Sequence, residues 1–344
     1  MEKVFFEELC KKLQLGELIE EPRRLSGGFL HKMYSLFTDN GKYAVKLLNP
    51  FIMQRETAME NFRTAEYFEA ILEEAGLPVL PAITFGGKKM QVISGQHFYV
   101  FRWFSGKALQ PCSITKEHVK CIGETLAHIH RLESLVTGEK TGTVRINWAQ
   151  YEEKLSIQEP EIGQLLEESL VFLEEMQSAA NEAIKKLPAI CAVCHNDMDP
   201  KNVLWDGAEY RVIDLECLGY GDPQIELIET ALCWSGLDDC HVDTELFSAF
   251  LSAYAKAGGK IPEDLHAAYH ANCGRLYWLE YCVQRALGIN CSAEEQDMGR
   301  AGINTTLKQL HCVKDAWEGI SSAINLTENS DKQIEKTKPK TYWK

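Results

Sequence analysis

The sequence predicts an α+β chain of two lobes, β-rich first and mainly helical afterwards. Three observations carry this. From Arg23 to Leu48 apolar and polar residues alternate at a period near two, as half-buried strands require. From "KEHVKCIGETLAHIHRLES" onward, apolar residues recur mostly at helical spacing. The length, 344 residues, calls for two domains or one domain of two lobes. The expected boundaries are a first lobe over 1–104, a helical lobe over 105–326, and a polar, aperiodic, disordered tail over 327–344.

The first lobe opens on an amphipathic helix within residues 1–18. Three strands follow, with a flexible turn at Ser26-Gly27-Gly28 and a hairpin at Asp39-Asn40-Gly41, where Asn and Gly tolerate positive φ. "TAMENFRTAEYFEAILEEAG" places Met59, Phe62, Ala65, Phe68, Ile71 and Leu72 on one helical face, and Gly76 and Pro78 stop it. "MQVIS" and "HFYVFRWF" read as two further strands before Gly106 breaks the pattern. The second lobe contains a long helix or helical pair over "EIGQLLEESLVFLEEMQSAANEAIKKL" and several helices after residue 223.

Composition narrows the function. At 45% apolar and 25% charged the chain is an ordinary globular protein. The net charge of −14 speaks against nucleic-acid binding and permits a cationic substrate. No run of 18 apolar residues suggests a membrane span, and the N-terminal stretch lacks the pattern of a signal peptide, so a cytoplasmic protein is expected. The twelve cysteines are scattered and read as reduced thiols. "CAVCH", Cys191 to His195, matches a c-type haem attachment spacing, but that chemistry belongs outside the cytosol. A zinc site there would lack a second C-x-x-C. The oligomeric state is not set by the sequence.

The densest polar stretch is "HNDMDPKNVLW", flanked by apolar runs. Polar groups held near a core are costly unless paired or used. His195, Asp197 and Asn202 have the spacing H-x-D-x-x-x-x-N, and "RVIDLE" then delivers Asp214 from an apolar strand. This is a phosphoryl-transfer layout. Asp197 can orient a hydroxyl and take its proton. Asn202 and Asp214 offer oxygens to Mg²⁺, a hard ion. Each residue alone would be an ordinary turn former or packed side chain; the combination is what carries the reading. Two upstream features agree with it. "YAVKLL" puts Lys46 on a strand in the manner of the lysine that reaches the α- and β-phosphates. The next helix supplies a carboxylate to hold that lysine, Glu60 or Glu66, and Glu66 lies nearer the apolar face. Ser26, Gly27 and Gly28 stand where a phosphate-covering loop belongs, without a full G-x-G-x-x-G.

Together with "AEYFEAILEEAGLPV", "FRWFSGKAL", "GETLAHIH" and "GYGDPQIELIE", these motifs resemble the aminoglycoside phosphotransferase and choline kinase family, from about Leu25 to about Leu287. The resemblance implies a two-lobed protein-kinase-like fold with the nucleotide bound between the lobes. It also implies ATP, or alternatively GTP, as donor with Mg²⁺, and a small-molecule hydroxyl as acceptor. It supports Glu66 as the lysine's partner and makes Arg102, Trp103 and Phe104 the hinge that meets the base. Asp214-Leu215-Glu216 replaces Asp-Phe-Gly, and Asp199 stands where serine/threonine protein kinases carry a Lys; both speak against protein substrates. Glu216 is expected to support either the metal site or the substrate side.

The acceptor wall is expected among Asp238, Asp239 and Asp243 in "SGLDDCHVDTE" and Trp278, Glu280 and Tyr281 in "RLYWLEYCVQRAL". These could form an acidic, aromatic pocket for an amine-bearing alcohol, or be core aromatics and solvated acids. The acceptors in view are aminoglycosides, macrolides, choline or ethanolamine, and sugar or amino-acid alcohols. A nucleotide-binding protein without catalysis is the alternative from another class, opposed by the intact Lys46, Asp197, Asn202 and Asp214.

Overall fold

The computed structural model describes residues 2–25, 31–133, 136–138 and 141–337. In chain order the elements are α1 (Glu2–Leu13), β1 (Arg23–Arg24), β2 (Lys32–Thr38), β3 (Gly41–Leu47), α2 (Pro50–Met53), α3 (Ala58–Glu74), β4 (Gln91–Ile93), β5 (Gln96–Arg102) and β6 (Lys107–Ala108). Next come α4 (Lys116–His130), β7 (Val136–Thr137), α5 (Trp148–Gln158), α6 (Pro160–Lys186), β8 (Ile190–Cys194), β9 (Val203–Asp206), β10 (Glu209–Val212) and β11 (Gly219–Gly221). The helices α7 (Pro223–Cys233), α8 (Thr244–Lys256), α9 (Leu265–Ala271), α10 (Gly274–Ala286) and α11 (Ala293–Thr337) complete it.

The chain divides into two compact units, but not by a single cut. One comprises Met1–Leu109 with His195–Tyr220; the other comprises Gln110–Cys194 with Gly221–Lys344. The breaks fall after Leu109, Cys194 and Tyr220, where the sequence reading drew a single line after residue 104. The returning segment joins the β-rich unit for a local reason. β9 pairs with both β6 and β10, and Val212 exchanges backbone hydrogen bonds with Pro78 and Leu80 at 2.7 and 2.9 Å.

In the β-rich unit the main sheet has the order β1-β2-β3-β5-β4. The hairpin is where the sequence puts it, with Thr38 opposite Gly41. Its positive φ falls on Gly41 (146°), whereas Asn40 is not in the left-handed region. Period two divides the strands between two faces. Val45, Phe98 and Val100 pack with Phe6 and Leu9 of α1. On the opposite face Tyr99 packs with Phe62 of α3. Lys46 lies directly across from Tyr99 in the β3–β5 register, so it shares that second face. Helix α3 buries Ala58, Phe62, Ala65, Phe68, Glu69 and Leu72; Phe62, Ala65, Phe68 and Leu72 belong to the stripe read from the sequence, whereas Ile71 is half-buried and Met59 is exposed.

The helical unit has its own core, built from Trp148, Leu155, Leu166, Leu173, Leu279 and Leu307 among others. Gly123 lets α4 approach α8, since a Cβ there would lie 2.7 Å from the Phe250 carbonyl oxygen. The last helix runs to Thr337, into the stretch expected to lack regular structure; that stretch is polar but free of Gly and Pro before Pro339. Residues 338–344 lie outside the described residues. No described helix is long and apolar enough to cross a membrane.

Candidate active site

The stretch after β8 is a tight loop held from beneath. His195 is fully buried, and its Nδ1 accepts the Asp197 N–H at 3.3 Å. Its Nε2 therefore carries the proton and faces the Ile213 carbonyl at 3.3 Å. Asn196 takes a left-handed φ of 64° and donates from its amide to the Cys217 carbonyl at 2.8 Å. Asn202 and Ile213 are joined by a backbone bond of 2.9 Å. The loop is thus tied to the strand that brings Asp214.

Asp197 is held from two sides. The Asn202 amide nitrogen donates to its Oδ2 and to its backbone carbonyl, both at 2.8 Å. Lys201 donates to its Oδ1 at 3.1 Å and to Asp199 at 2.6 Å. With its nitrogen turned to Asp197, Asn202 has its carbonyl oxygen left for another partner. Burial, and then the neighbouring Asp199, raise the Asp197 carboxyl above its ordinary value, while Lys201 and His195 oppose the shift. That is the direction a general base needs, since it strengthens proton affinity. Asp199 is a partner of Lys201. Nothing in the sequence singled out Lys201, yet its position four residues beyond Asp197 was a usable signal.

Asp214 sits in the left-handed region (φ 62°, ψ 50°) at the head of a short 3-10 turn, Leu215–Cys217. Such a conformation costs about 1–3 kcal/mol outside glycine and clusters at functional sites. It places Asp214 and Glu216 on Lys46, whose ammonium bonds to both carboxylates. Lys46 is only 7% exposed. Burial alone would lower its proton affinity, but Glu216 and Asp214 together outweigh burial and raise it. Burial would raise Glu216; Lys46 and His31 reverse that and bring it down to about 2. Both groups are therefore charged at neutral pH.

The expectation that Glu66 holds Lys46 is corrected. Glu66 accepts the Tyr99 hydroxyl at 2.8 Å and the Met90 N–H at 3.1 Å. Tyr99 stands beside Lys46 on the sheet and takes up the helix carboxylate, while Glu216 occupies the lysine's side. Glu216 is accordingly a lysine partner here, with one oxygen toward Lys46 and the other toward His31 at 3.0 Å. His31, also missed, left no local signal because its partner is remote in sequence.

The residues expected at the hinge lie at and just beyond the end of β5. Arg102 pairs with Tyr43, the Trp103 N–H donates to the Lys42 carbonyl at 3.2 Å, and the Arg211 guanidinium lies 5.4 Å from the Phe104 ring centroid. Ser26, Gly27 and Gly28 lie outside the described residues.

The donor set suits Mg²⁺. Asn202 offers an amide oxygen and Asp214 a carboxylate, both hard donors. Four carboxylates (Asp197, Asp199, Asp214 and Glu216) face two ammonium groups, Lys46 and Lys201.

The proposed acceptor residues fall in the helical unit. Asp243 caps α8, accepting from the Glu245 and Leu246 N–H groups. Asp238 faces Gln309 at 3.3 Å and Arg275 at 3.9 Å, and Asp239 is exposed in the same turn. Glu280 accepts the Tyr151 hydroxyl at 2.9 Å. Trp278 and Tyr281 stack with centroids 5.3 Å apart. The structure brings Trp278, Glu280 and Tyr281 together on α10 and gives Asp238 and Asp243 structural partners.

Cys191 and Cys194 are three apart on β8, so they point to opposite faces and cannot close on one ion. Cys194 instead lies 3.8 Å from His130 Nε2. That imidazole also bonds to Glu226 at 2.7 Å and to the Tyr254 hydroxyl at 2.8 Å. Among the described residues, His130, Cys194 and Glu226 are the group whose donor atoms lie close enough to hold a metal ion. In this structure they form a hydrogen-bonded network inside the helical unit.

The fold is shared with solved phosphotransferases. A spectinomycin phosphotransferase, crystallised with ADP and spectinomycin, is 13% identical with a TM-score of 0.68; the alignment covers 90% of this chain and 98% of the other. A choline/ethanolamine kinase family protein from Mesorhizobium loti is 16% identical, TM-score 0.54, covering 90% and 98%. An amicoumacin kinase, in complex with AMP-PNP, Ca²⁺ and Ami, is 14% identical, TM-score 0.51, covering 87% and 92%. No curated protein matches the chain in sequence. The family comparison is decisive where these low identities are not. Residues 21–298, which contain Lys46, Asp197, Asn202 and Asp214, match the phosphotransferase enzyme family, and the chain belongs to it.

Proposed function

We propose that the protein transfers the γ-phosphoryl group of ATP, with GTP as an alternative donor, to a hydroxyl group of a small molecule. The observation that carries this reading is Asp197, its carboxylate fixed by Asn202 and Lys201, on the loop tied to the strand that delivers Asp214 to Lys46. Asp197 Oδ1 or Oδ2 orients the acceptor hydroxyl and takes its proton as the oxygen bonds to the γ-phosphorus. The bond from phosphorus to the β–γ bridging oxygen breaks and ADP leaves. Lys46 contacts the α- and β-phosphates. Asn202 and Asp214 would hold Mg²⁺, which supplies charge neutralisation on the phosphates. The similar structures with ADP or with AMP-PNP and Ca²⁺ support the nucleotide and a divalent ion.

The acceptor is proposed to carry an amine or quaternary ammonium. The strong acidity of the chain and the natures of spectinomycin and choline or ethanolamine, named for similar structures, support it. A screen of aminoglycosides, macrolides, choline, ethanolamine, amino-acid alcohols and sugars with ATP and GTP tests both parts. Transfer to an amine-bearing alcohol is expected. A neutral sugar outperforming every amine would overturn the acceptor, and no transfer to any hydroxyl would overturn the activity.

A further inference from the structure

We infer that His31 is a positioning residue for the nucleotide lysine, acting through Glu216. The inference rests on the nucleotide-binding reading above and adds a residue that no motif in the sequence singles out.

The backbone around His31 fixes its tautomer. His31 Nδ1 lies 2.9 Å from the backbone N–H of Asn49, so Nδ1 must accept and cannot carry a proton in the neutral ring. The ring proton therefore sits on Nε2, which points at Glu216 Oε1 at 3.0 Å. Glu216 Oε2 holds the Lys46 ammonium. A continuous path thus runs from the backbone beyond β3, through an imidazole of fixed tautomer, to one carboxylate oxygen and from the other to Lys46. His31 is 5% exposed and its ring lies 6.4 Å from that of Phe62, so its orientation is set by packing as well.

The path solves a problem the site poses. Lys46 shares its ammonium between Asp214 and Glu216. Asp214 is a proposed metal ligand, so it cannot be relied on as the lysine's only anchor. Glu66 is engaged by Tyr99 and Met90. Glu216 is left as the dedicated partner. It lies two residues beyond Asp214 in a short turn, and a carboxylate held only by Lys46 could follow the lysine or turn toward the metal. The His31 hydrogen bond fixes the second oxygen and prevents that.

Two substitutions divide the imidazole's roles. His31→Asn can keep an acceptor near Nδ1 for Asn49 but is too short to reach Glu216. His31→Gln can place an amide donor near the Nε2 position and keep the bond to Glu216. Calorimetry of ADP binding in the absence of divalent metal reads the lysine–phosphate contact without turnover. We expect His31→Asn to weaken ADP on the order of tenfold and His31→Gln to stay within about twofold. His31→Asn combined with Glu216→Gln should bind no more weakly than Glu216→Gln alone, because both act on one link. Unchanged affinity in His31→Asn, equal losses in the Asn and Gln variants, or additive losses would overturn the inference. Nitrogen NMR of the unaltered protein, with His31 assigned against His31→Gln, needs no folded Asn variant. An Nε2–H tautomer is expected, and an Nδ1–H tautomer would overturn the inference. Absence of ADP binding by the unaltered protein would overturn the nucleotide reading, and this inference with it. ADP binding that His31→Asn leaves intact would overturn the inference alone.

Discussion

Asp197 shows how much a single side chain owes to its neighbours. Burial and Asp199 raise its proton affinity, and Lys201 and His195 restrain the rise. The base must be ionised to accept a proton, so kcat should fall as pH drops through this raised value, above the ordinary aspartate range near 3.9. Lys201→Met removes an opposing charge and should move that acid limb to still higher pH; a pH–kcat profile that moves down or stays put would count against the assignment. At the proposed metal ligands, Asp214→Ala should abolish the Mg²⁺-dependent part of nucleotide affinity, and Asn202→Ala should weaken it. Calorimetry with and without Mg²⁺ separates these, and equal Mg²⁺ dependence in both variants and the parent would refute the ligand set. Asp197, Asn202, Asp214 and Lys46 were legible in the sequence because the first three crowd into a short stretch and the fourth follows a hairpin. His31 was not, because a partner brought to Glu216 by folding leaves no periodic trace; Lys201 stood within four residues of Asp197, a spacing that could have marked it.

Helix α3 was legible as an element but not in its chemistry. Its buried stripe of Phe62, Ala65, Phe68 and Leu72 follows helical spacing, which sequence displays directly. Which partner its carboxylate meets depends on the β3–β5 register, and that register places Tyr99 next to Lys46. Glu66→Ala should therefore raise the nucleotide KM much less than Glu216→Ala does. The reverse order in steady-state kinetics would restore the helix carboxylate as the lysine's holder. Strand β8 gives a second case at this scale. Cys191 and Cys194 looked like a pair in the sequence, and strand alternation separates them. Cys191→Ser and Cys194→Ser should both stay active, with the larger loss of thermal stability at Cys194, which is fully buried beside His130. A stoichiometric metal, detected by elemental analysis and lost in either variant, would contradict this.

At the scale of the molecule, the sequence conveys a β-rich beginning and a helical remainder, because periodicity survives without tertiary information. It does not convey that residues 195–220 return to the β-rich unit, since that depends on β9 pairing with β6 and on Val212 bonding to Pro78 and Leu80. This return brings Asp197, Asn202 and Asp214 into the same unit as Lys46 and His31, as the proposed phosphoryl-transfer centre requires. The proposed chemistry turns on Asp197 as the base of that centre. The most direct test is single-turnover phosphoryl transfer, from labelled ATP to the best acceptor of the screen, by the unaltered protein and by Asp197→Asn. Nucleotide binding should survive the substitution while the rate of transfer falls by about 10²–10⁴. Transfer by Asp197→Asn at nearly the parental rate would contradict that role.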